Sequence, residues 1–287
     1  MAMAKELVII VLVFVLEFQC IKGVNKDGTL LLSLLKNLKA PPNIIRSWNS
    51  SDKYPCHWEG VSCHRDHTVN VLDLTGQLIS GTLSPAIGGL RKLRALYLSS
   101  NTLSATIPRE LGNCTELEYL DLSENNLHGH IPLEVGRLTK LSYLSLYSNF
   151  LTGTIPPSIF GLPLLEEIYL NQNNLTGEIP SNVGNLTKLS SLWLAENKLS
   201  GTIPASITNC RRLAKLYLYH NQLHGNLPES LGRLQSLAYL YLTSMRQVVE
   251  MLRALRPVNP ISRNSNTKGK VVLGEPSTPG GRNVMSA

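Results

Sequence analysis

The sequence TELEYLDLSENNLHGHIPLEVGRL, residues 115–138, is one of six consecutive 24-residue blocks that follow one pattern without insertion or deletion. The blocks run from Arg91 to Leu234, a looser copy covers about residues 67–90, and a broken copy starts at Gln235. Their shared pattern is LxxLxLxxNxLxGxIPxxLGxL. A unit this small buries its leucines only by stacking on neighbouring units, so the sequence predicts one elongated solenoid rather than several compact domains.

Within each block the LxL segment predicts a short strand, as around Leu96. Alternation along that strand directs Leu96 and Leu98 into the core and Tyr97 to the surface. The asparagine that follows can bond backbone groups in the turn that leaves the strand. The Ile-Pro or Leu-Pro pair after it disfavours helix just before the proline. Together these features define a leucine-rich repeat. The asparagine column contains Asn101, Asn125, Asn149, Asn173, Asn197 and Asn221.

The first 23 residues have the pattern of an export signal. Lys5 precedes an apolar run from Leu7 to Phe18 that Glu17 interrupts. A membrane span needs about 20 apolar residues, so this shorter run predicts a secretory signal peptide over residues 1–23. A buried first helix is the alternative. No later stretch reaches the length of a span, and we expect a secreted chain without a membrane span.

Residues 24–66 precede the repeats and are predicted to form an N-terminal cap. Asp27 can cap a helix that runs to about Leu38. Leucines at helical spacing between these two residues predict an apolar stripe on one face of the helix.

Two parts of the sequence are similar to plant extracellular leucine-rich-repeat proteins, most of which are receptor-like kinases. These parts are the GxIPxxLGxL half of the repeat and the block WNSSDKYPCHWEGVSC, residues 48–63. The resemblance covers roughly residues 27–244 and is nearest to receptors of endogenous danger peptides. It implies an α/β repeat fold, a right-handed leucine-rich-repeat solenoid of 24-residue plant-type repeats, with a parallel concave sheet and an N-terminal helical cap.

The residue patterns and the resemblance together give the expected division of the chain. We expect a signal peptide (1–23), the cap (24–66), a solenoid of about seven full repeats plus a partial one (67–244), and a divergent basic tail (245–287). The tail is rich in Pro, Gly, Ser and Asn, a composition typical of disorder.

In this family an extended peptide lies across the concave strands, and its binding recruits a shorter leucine-rich-repeat co-receptor. Full-length members also carry a membrane span and a serine/threonine kinase and lie in the plasma membrane. Neither segment is in this sequence, and the arginine-containing pocket for a peptide's terminal carboxylate lies in later repeats that are also absent. The resemblance therefore implies an apoplastic peptide or protein ligand and a co-receptor, with defence signalling carried out by the full-length relatives.

The cysteines fall into two groups. The resemblance implies that Cys56 and Cys63 are bonded, and the small loop they close in an exported chain favours the same pairing. A metal site with nearby histidines is the alternative, although the spacing matches no zinc pattern. Cys114 and Cys210 lie four repeats apart, about 19 Å, which is far beyond the Cα separation of about 7 Å that a disulfide allows. We expect both to be small core residues.

No catalytic constellation is present. The sequence lacks GxSxG, P-loop, HExxH, kinase glycine-loop and HRD motifs, and its seven histidines are scattered. We expect no enzymatic activity, no cofactor and no bound metal. The net charge is +7, but residues 245–287 hold five of these excess positive charges. For that reason we do not expect the repeats to bind nucleic acid.

The outward positions of the predicted strands are rich in aromatic residues, and nine of the ten tyrosines occupy them. Tyrosine and tryptophan give large contact areas at small entropic cost, which suits recognition of a peptide or protein. The alternative is that aromatic side chains pack along a strand ladder for stability alone. The recognition hypothesis predicts that Trp193→Ala weakens binding with little change in thermal stability. The candidate ligand-binding residues are Tyr97, Tyr119, Tyr143, Tyr147, Tyr169, Trp193, Lys215, Tyr217, Tyr219, Tyr239 and Tyr241.

Glycosylation sequons occur at four asparagines, and none of the four lies in the aromatic columns. In an exported chain these are candidate glycan sites. They are Asn49, Asn113, Asn174 and Asn185.

The repeat pattern stops at Met245, which stands where the asparagine column requires Asn, and no LxGxIP follows. Solenoids need a polar terminal cap, so we interpret the break as the truncation of a longer receptor ectodomain. Two alternatives stay open. The chain could be a soluble inhibitor of a microbial cell-wall-degrading enzyme, similar to the polygalacturonase-inhibiting proteins, or a truncated gene product without a function.

Overall fold

The computed structural model describes residues 23–242. The predicted signal peptide up to residue 22 and the predicted tail, with the break at Met245, lie outside the described residues. Two α-helices come first, α1 (Lys26–Leu35) and α2 (Pro42–Ser47). They are followed by the stacked repeats. Within residues 23–242 no helix is long and apolar enough to cross a bilayer.

Two sheets run along the solenoid. The first has nine strands, of which β2 pairs antiparallel with β3 and all further pairs are parallel. Its strands are β2 (Val61–Cys63), β3 (Val69–Asp73), β5 (Ala95–Tyr97), β7 (Tyr119–Asp121), β9 (Tyr143–Ser145), β11 (Glu167–Tyr169), β13 (Ser191–Trp193), β15 (Lys215–Tyr217) and β16 (Tyr239–Tyr241).

The second sheet was not predicted from the sequence. It forms from the LxGx half of the repeats up to residue 210, and the segment Leu38–Lys39 enters it from the cap in antiparallel pairing. Its seven strands are β1 (Leu38–Lys39), β4 (Ser80–Thr82), β6 (Thr102–Ala105), β8 (Asn126–His130), β10 (Phe150–Gly153), β12 (Asn174–Glu178) and β14 (Lys198–Ser200). Gly177 is the residue before the last of its strand, with φ +76, and an added Cβ would lie 2.8 Å from Thr154 Cγ2.

Seven short 3₁₀ helices return the chain to the first sheet. Six of them begin directly after the proline of the Ile-Pro or Leu-Pro pair, as Leu133–Arg137 follows Pro132. The first begins at Pro85 itself and is preceded by Ser84. They are η1 (Pro85–Gly89), η2 (Arg109–Asn113), η3 (Leu133–Arg137), η4 (Pro157–Gly161), η5 (Ser181–Asn185), η6 (Ala205–Asn209) and η7 (Glu229–Arg233).

The predicted inward leucines form the core. Leu96 and Leu98 are 0% and 3% exposed, and one continuous apolar cluster extends from Leu31 in the cap to Leu240. Cys114 and Cys210 belong to this core as buried free thiols, which confirms their predicted role. The Cys114 thiol donates to the Ile87 carbonyl over 3.2 Å. Burial raises the pKa of the Cys114 thiol to about 12.

The asparagine column acts as predicted. Asn125 is buried, and its Oδ1 accepts from the Leu103 N–H at 2.9 Å. Its Nδ2 donates to the Leu98 carbonyl one repeat earlier at 2.9 Å and to the Leu122 carbonyl at 3.2 Å. The same pattern recurs at Asn149 and the rest of the column. Each amide therefore ties two repeats together while satisfying backbone groups at the turn.

The expected helix boundaries in the cap were wrong. The N-cap of α1 is Asn25, whose Oδ1 accepts from the Gly28 N–H at 2.9 Å. Asp27 lies buried in the first turn, and its Oδ2 accepts from the Val69 N–H at 2.8 Å, which fastens the helix to β3. The helix ends at Leu35, and Leu38 belongs to β1. Both Asn and Asp suit an N-cap, and the long-range bond to β3 decides which of them takes that position.

The rest of the cap is built around a disulfide and two tryptophans. Cys56 and Cys63 are bonded, with their Cα atoms 5.4 Å apart. Trp48 and Trp58 stack with ring centroids 5.6 Å apart, and each is 3% exposed. The Trp58 Nε1–H donates to Asp52 Oδ2 at 2.7 Å. Within residues 23–242 no cluster of His, Cys, Asp or Glu could hold a metal ion.

Candidate functional site

The predicted outward columns are rows of paired residues on the first sheet. The parallel register aligns Tyr119 with Tyr143 and Tyr169 with Trp193, so that each position faces its equivalent one repeat away. The pairing continues from Trp193 to Tyr217 and from Tyr217 to Tyr241. A period of 24 residues without insertions therefore produces straight rows of side chains across the sheet.

Six aromatic side chains from two neighbouring rows form one continuous ladder of five ring pairs, which changes rows between Tyr143 and Tyr169. Ring centroids are 6.5 Å apart for Tyr119–Tyr143, 5.5 Å for Tyr143–Tyr169 and 5.3 Å for Tyr169–Trp193. The ladder continues at 4.2 Å for Trp193–Tyr217 and 4.7 Å for Tyr217–Tyr241. Such contacts contribute about 0.5–1.5 kcal/mol each beyond area burial. The ladder thus stabilises the sheet as well as presenting an aromatic surface.

Ring packing within the ladder contradicts the expectation that Trp193→Ala leaves thermal stability nearly unchanged. Trp193 is half-buried between Tyr169 and Tyr217. Removing its ring would remove both contacts, so unchanged thermal stability in Trp193→Ala does not fit the structure. Tyr119 and Tyr239, at 43% and 40% exposure, are the ladder-region residues most open to a partner, whereas Tyr241 is only 8% exposed.

The remaining candidates lie on or beside the same sheet, outside the continuous ladder. Tyr97 is half-buried, and Asp121 and Ser145 separate it from Tyr169 along its row. Tyr219 contacts the Tyr241 ring at 6.3 Å. Lys215 lies between Ser191 and Tyr239 in the register. Nine of the eleven predicted residues are therefore in strands of this sheet, and Tyr147 and Tyr219 lie two residues beyond the strand ends at Ser145 and Tyr217.

Three tyrosine hydroxyls, one in a strand of this sheet and two just beyond strand ends, donate to glutamates. Tyr147 donates to Glu124 Oε1 at 2.9 Å, Tyr169 donates to Glu167, and Tyr219 donates to Glu196 Oε1 at 3.4 Å. These bonds fix both the phenol rings and the carboxylates. The face therefore combines aromatic surface with oriented negative charge.

Burial and these carboxylates also change the acidity of the phenols. The pKa of Tyr147 is raised to about 12, first by burial and then by its hydrogen bond to Glu124. Burial is also the main cause that raises the pKa of Tyr217 to about 12, and it raises the pKa of Tyr143 and Tyr169. The phenols thus remain neutral hydrogen-bond donors at every physiological pH.

A backbone feature places a further column beside the rows. The residue before each asparagine of the asparagine column has a left-handed backbone, with φ 52 at Glu124, 54 at Ser148, 56 at Gln172 and 55 at Glu196. This conformation is uncommon outside glycine. None of these four residues is among the predicted ligand-binding residues. Their constant position directly before the column asparagine is the signal that could have identified them.

The rows and this column enclose a cavity of about 470 Å³. Its lining residues are Glu124, Tyr143, Tyr147, Ser148, Tyr169, Asn171, Gln172 and Trp193. Two polar atoms among them, Asn171 Oδ1 and Trp193 Nε1, are buried and have no hydrogen-bond partner. Buried polar groups are normally paired, so these two atoms of the cavity-lining residues lack the partners that such groups normally have.

The four sequon asparagines lie away from these rows. Asn49 is exposed in the cap, Asn113 and Asn185 end η2 and η5, and Asn174 begins β12 of the second sheet. Glycans at these positions would leave the aromatic face uncovered. Their use remains a prediction.

Comparison with known families defines the class of protein. Residues 24–64 match the leucine rich repeat N-terminal domain, and the leucine rich repeat families match residues 67–127, 140–162, 164–186, 188–210 and 212–234. These matches cover more than half of the chain, which belongs to the leucine-rich-repeat family.

Within that family the chain is similar to plant receptor kinases. It is 45% identical over 73 residues to the leucine-rich repeat receptor-like protein kinase PEPR1 of Arabidopsis thaliana, covering 24% of this chain and 6% of that protein. It is 42% identical over 73 residues to a receptor-like protein kinase of Ipomoea nil, covering 25% of this chain and 7% of the relative. The matched part is thus less than a tenth of these relatives and lies in their repeats.

Solved structures extend the likeness to most of the described chain. The PEPR1–AtPEP1 structure covers 76% of this chain and 38% of that one, with a TM-score of 0.63 and 37% identity. The Arabidopsis receptor kinase HAESA, in complex with the peptide hormone IDA and the co-receptor SERK1, gives a TM-score of 0.70 and 35% identity, with 76% and 37% coverage. The fold is therefore that of plant leucine-rich-repeat receptor ectodomains, related to peptide-hormone receptors.

Proposed function

We propose that this chain is an extracellular recognition module that binds a peptide or protein on the aromatic face of its first sheet. The observation that carries the proposal is the continuous ladder from Tyr119 to Tyr241, next to a cavity with two unpartnered polar atoms. Aromatic anchors beside a concave, partly polar pocket are typical of recognition sites.

The dimensions of the ladder suit an extended peptide. Strands in a sheet lie about 4.8 Å apart, so the strands from Tyr143 to Tyr241 span about 19 Å. An extended peptide rises about 3.3 Å per residue. About six peptide residues would therefore cross this part of the face, and each strand could present one aromatic ring to them.

An extracellular location and a co-receptor are parts of the same proposal. The disulfide Cys56–Cys63 is compatible with an oxidising compartment. The HAESA structure contains a peptide hormone together with SERK1. By analogy, we expect a peptide bound to this chain to be contacted by a second leucine-rich-repeat protein.

The test compares two exposed aromatic residues on opposite sheets. Tyr119 is 43% exposed on the first sheet, and Phe150 is 55% exposed on the second. The full chain would be screened against an unbiased library of ten-residue peptides, and the affinity of selected peptides would be measured for wild type, Tyr119→Ala and Phe150→Ala. We expect about tenfold weaker binding in Tyr119→Ala and wild-type binding in Phe150→Ala.

Other outcomes would decide against the proposal. Equal losses in both variants, or a loss confined to Phe150→Ala, would contradict peptide recognition on the first sheet. Selective capture of a fungal polygalacturonase, with no peptide bound, would favour the soluble-inhibitor alternative instead.

A further inference from the structure

The cavity beside the aromatic ladder has the chemistry of a cation site. Its walls include the rings of Tyr143, Tyr147, Tyr169 and Trp193, and the Glu124 carboxylate lies at its edge. Aromatic faces attract cations through their ring quadrupoles, and the attraction is larger where water is excluded. A carboxylate beside several rings therefore favours a positively charged group over a neutral or negative one.

Glu124 is held in place as the negative partner. Its Oε2 accepts from the Ser100 hydroxyl at 2.5 Å and its Oε1 accepts from the Tyr147 hydroxyl at 2.9 Å. The Glu124 backbone is left-handed, with φ 52. Two neutral donors orient the carboxylate without neutralising its charge, and each oxygen keeps capacity to accept another bond.

Within residues 23–242 the negative charge on this part of the face has no cationic partner. The ion pairs found there are Arg94–Glu118, Arg109–Glu110 and Lys140–Glu116. None involves Glu124, Glu167 or Glu196, and no lysine or arginine lines the cavity. A cationic ligand would complete these interactions.

The two unpartnered atoms indicate how a peptide would supply the cation. Asn171 Oδ1 can accept a hydrogen bond, and Trp193 Nε1–H can donate one. A guanidinium group has five N–H donors in a planar fork, which can reach a carboxylate and an amide oxygen together while stacking on a ring. A backbone carbonyl of the same peptide can accept from Trp193 Nε1.

We propose that this cavity binds a basic side chain of the peptide ligand, arginine in preference to lysine, with Glu124 as its counter-ion and Asn171 as a second acceptor. This subsite rests on the proposed function, since it assumes that a peptide lies along the ladder. It adds a specificity that the ladder alone does not require. Lysine is bound less well because its ammonium is a compact, strongly hydrated charge without the planar fork.

Tryptophan fluorescence can report on this site selectively. The chain has three tryptophans. Trp48 and Trp58 are each 3% exposed in the cap, whereas Trp193 lines the cavity. The full chain would be titrated with acetyl-Gly-Arg-Gly-amide, its lysine counterpart, and the citrulline counterpart, in which a neutral urea replaces the guanidinium. Trp193→Phe should abolish the signal and thereby assign it to the cavity.

We expect saturable binding of the arginine peptide, weaker binding of the lysine peptide, and at least about tenfold weaker binding of the citrulline peptide, because a charge-assisted bond is lost. Glu124→Gln should weaken arginine binding by about tenfold and leave citrulline binding unchanged. Glu116→Gln is the matched control, since Glu116 pairs with Lys140 away from the cavity, and it should behave as wild type.

Equal affinity for the arginine and citrulline peptides in the wild-type chain would overturn the subsite, and this comparison needs no variant to fold. If library-selected peptides bind through Tyr119 but show neither arginine enrichment nor dependence on Glu124, the subsite is wrong and the proposed function stands. If no library peptide binds, the proposed function itself fails.

Discussion

At the residue scale, single side chains hold this solenoid together by bonding to neighbouring repeats. The asparagine column shows this most clearly, because each of its side chains hydrogen-bonds to backbone groups of two repeats. Asn125 bonds the Leu103 N–H and the Leu98 and Leu122 carbonyls while remaining 4% exposed. Alanine cannot make these bonds, so the Leu103 N–H would lose its partner, whereas the Leu98 and Leu122 carbonyls would keep their bonds from Asn101 and Asn149.

The neighbouring residue offers a matched control for the role of the Asn125 amide. Asn126 follows Asn125 directly and is exposed at the start of β8. We expect Asn125→Ala to lower the free energy of unfolding by about 1–3 kcal/mol, the cost of leaving one buried group, the Leu103 N–H, unpaired. Asn126→Ala should change it by less than about 0.5 kcal/mol. Urea denaturation of both variants would measure the difference, and similar losses would refute the role of the amide.

Trp193 tests the balance between packing and recognition. We expect Trp193→Ala to lower the free energy of unfolding by about 2 kcal/mol, because it loses ring contacts with Tyr169 and Tyr217. Trp193→Phe keeps a ring and should cost less than half as much. Thermal and urea denaturation without ligand would measure both. If Trp193→Ala leaves the free energy of unfolding unchanged, the ladder contributes no stability.

The tyrosine pKa values predict a response to alkaline pH. The folded-state pKa of Tyr147 and of Tyr217 is raised from 10.0 to about 12. A raised pKa stabilises the fold below pH about 10, and this contribution is lost as pH rises toward 12. Absorbance at the phenolate band should show late-titrating tyrosines together with loss of stability in that window.

Glu124→Gln separates the two causes of the Tyr147 shift. Burial remains, whereas the carboxylate that accepts from the Tyr147 hydroxyl is removed. One tyrosine of the variant should therefore lose its proton at a lower pH than in wild type. An identical titration curve would mean that the carboxylate has no effect on the phenol.

At the element scale, the cap depends on connections that lie far apart in sequence. The Cys56–Cys63 disulfide closes a short loop beside β2 and β3, and Asp27 of α1 bonds the Val69 N–H in β3. The cap therefore continues the first sheet instead of only covering its end. Its stability should follow the state of the disulfide.

The disulfide can be tested with its own control. A loop of this size contributes about 2–3 kcal/mol in the chain-entropy estimate. We expect the double variant Cys56→Ser, Cys63→Ser to lose about that amount, and reductant to destabilise wild type equally. Reductant should have no further effect on the double variant. A wild-type chain indifferent to reductant would contradict a structural role.

The elements also show where prediction from sequence succeeds and where it stops. The 24-residue period was enough to predict the strand rows, the asparagine column and the buried cysteines, because identical repeats stack in register. The second sheet was missed, since LxGx segments such as Asn174–Glu178 carry polar and glycine residues that are unusual in strands. The N-cap was misassigned to Asp27 because its partner, Val69, is 42 residues away.

The candidate site, too, could be predicted from the sequence only in part. The aromatic rows could be read from the repeat, but the cavity depends on left-handed residues such as Ser148 and Gln172, which local propensity does not favour. The unpartnered atoms of Asn171 and Trp193 depend on packing between repeats and leave no mark in the sequence.

At the scale of the whole molecule, two sheets of different chemistry run along one solenoid. The first carries the aromatic ladder, the tyrosine–glutamate pairs and the cavity. The second carries polar side chains, the exposed Phe150 and a predicted glycan site at Asn174. The chain matches 37–38% of the solved PEPR1 and HAESA chains, so the likeness covers little more than a third of each.

The central claim is that ligand lies on the first sheet, and photo-crosslinking tests it most directly. A library-selected peptide carrying a diazirine would be crosslinked to the full chain, and the modified residues would be mapped by mass spectrometry. We predict crosslinks at strand residues between Tyr119 and Tyr241, with those of an arginine-containing peptide centred on Tyr143 to Trp193. Crosslinks concentrated on the second sheet, around Phe150 and Asn174, would contradict the account.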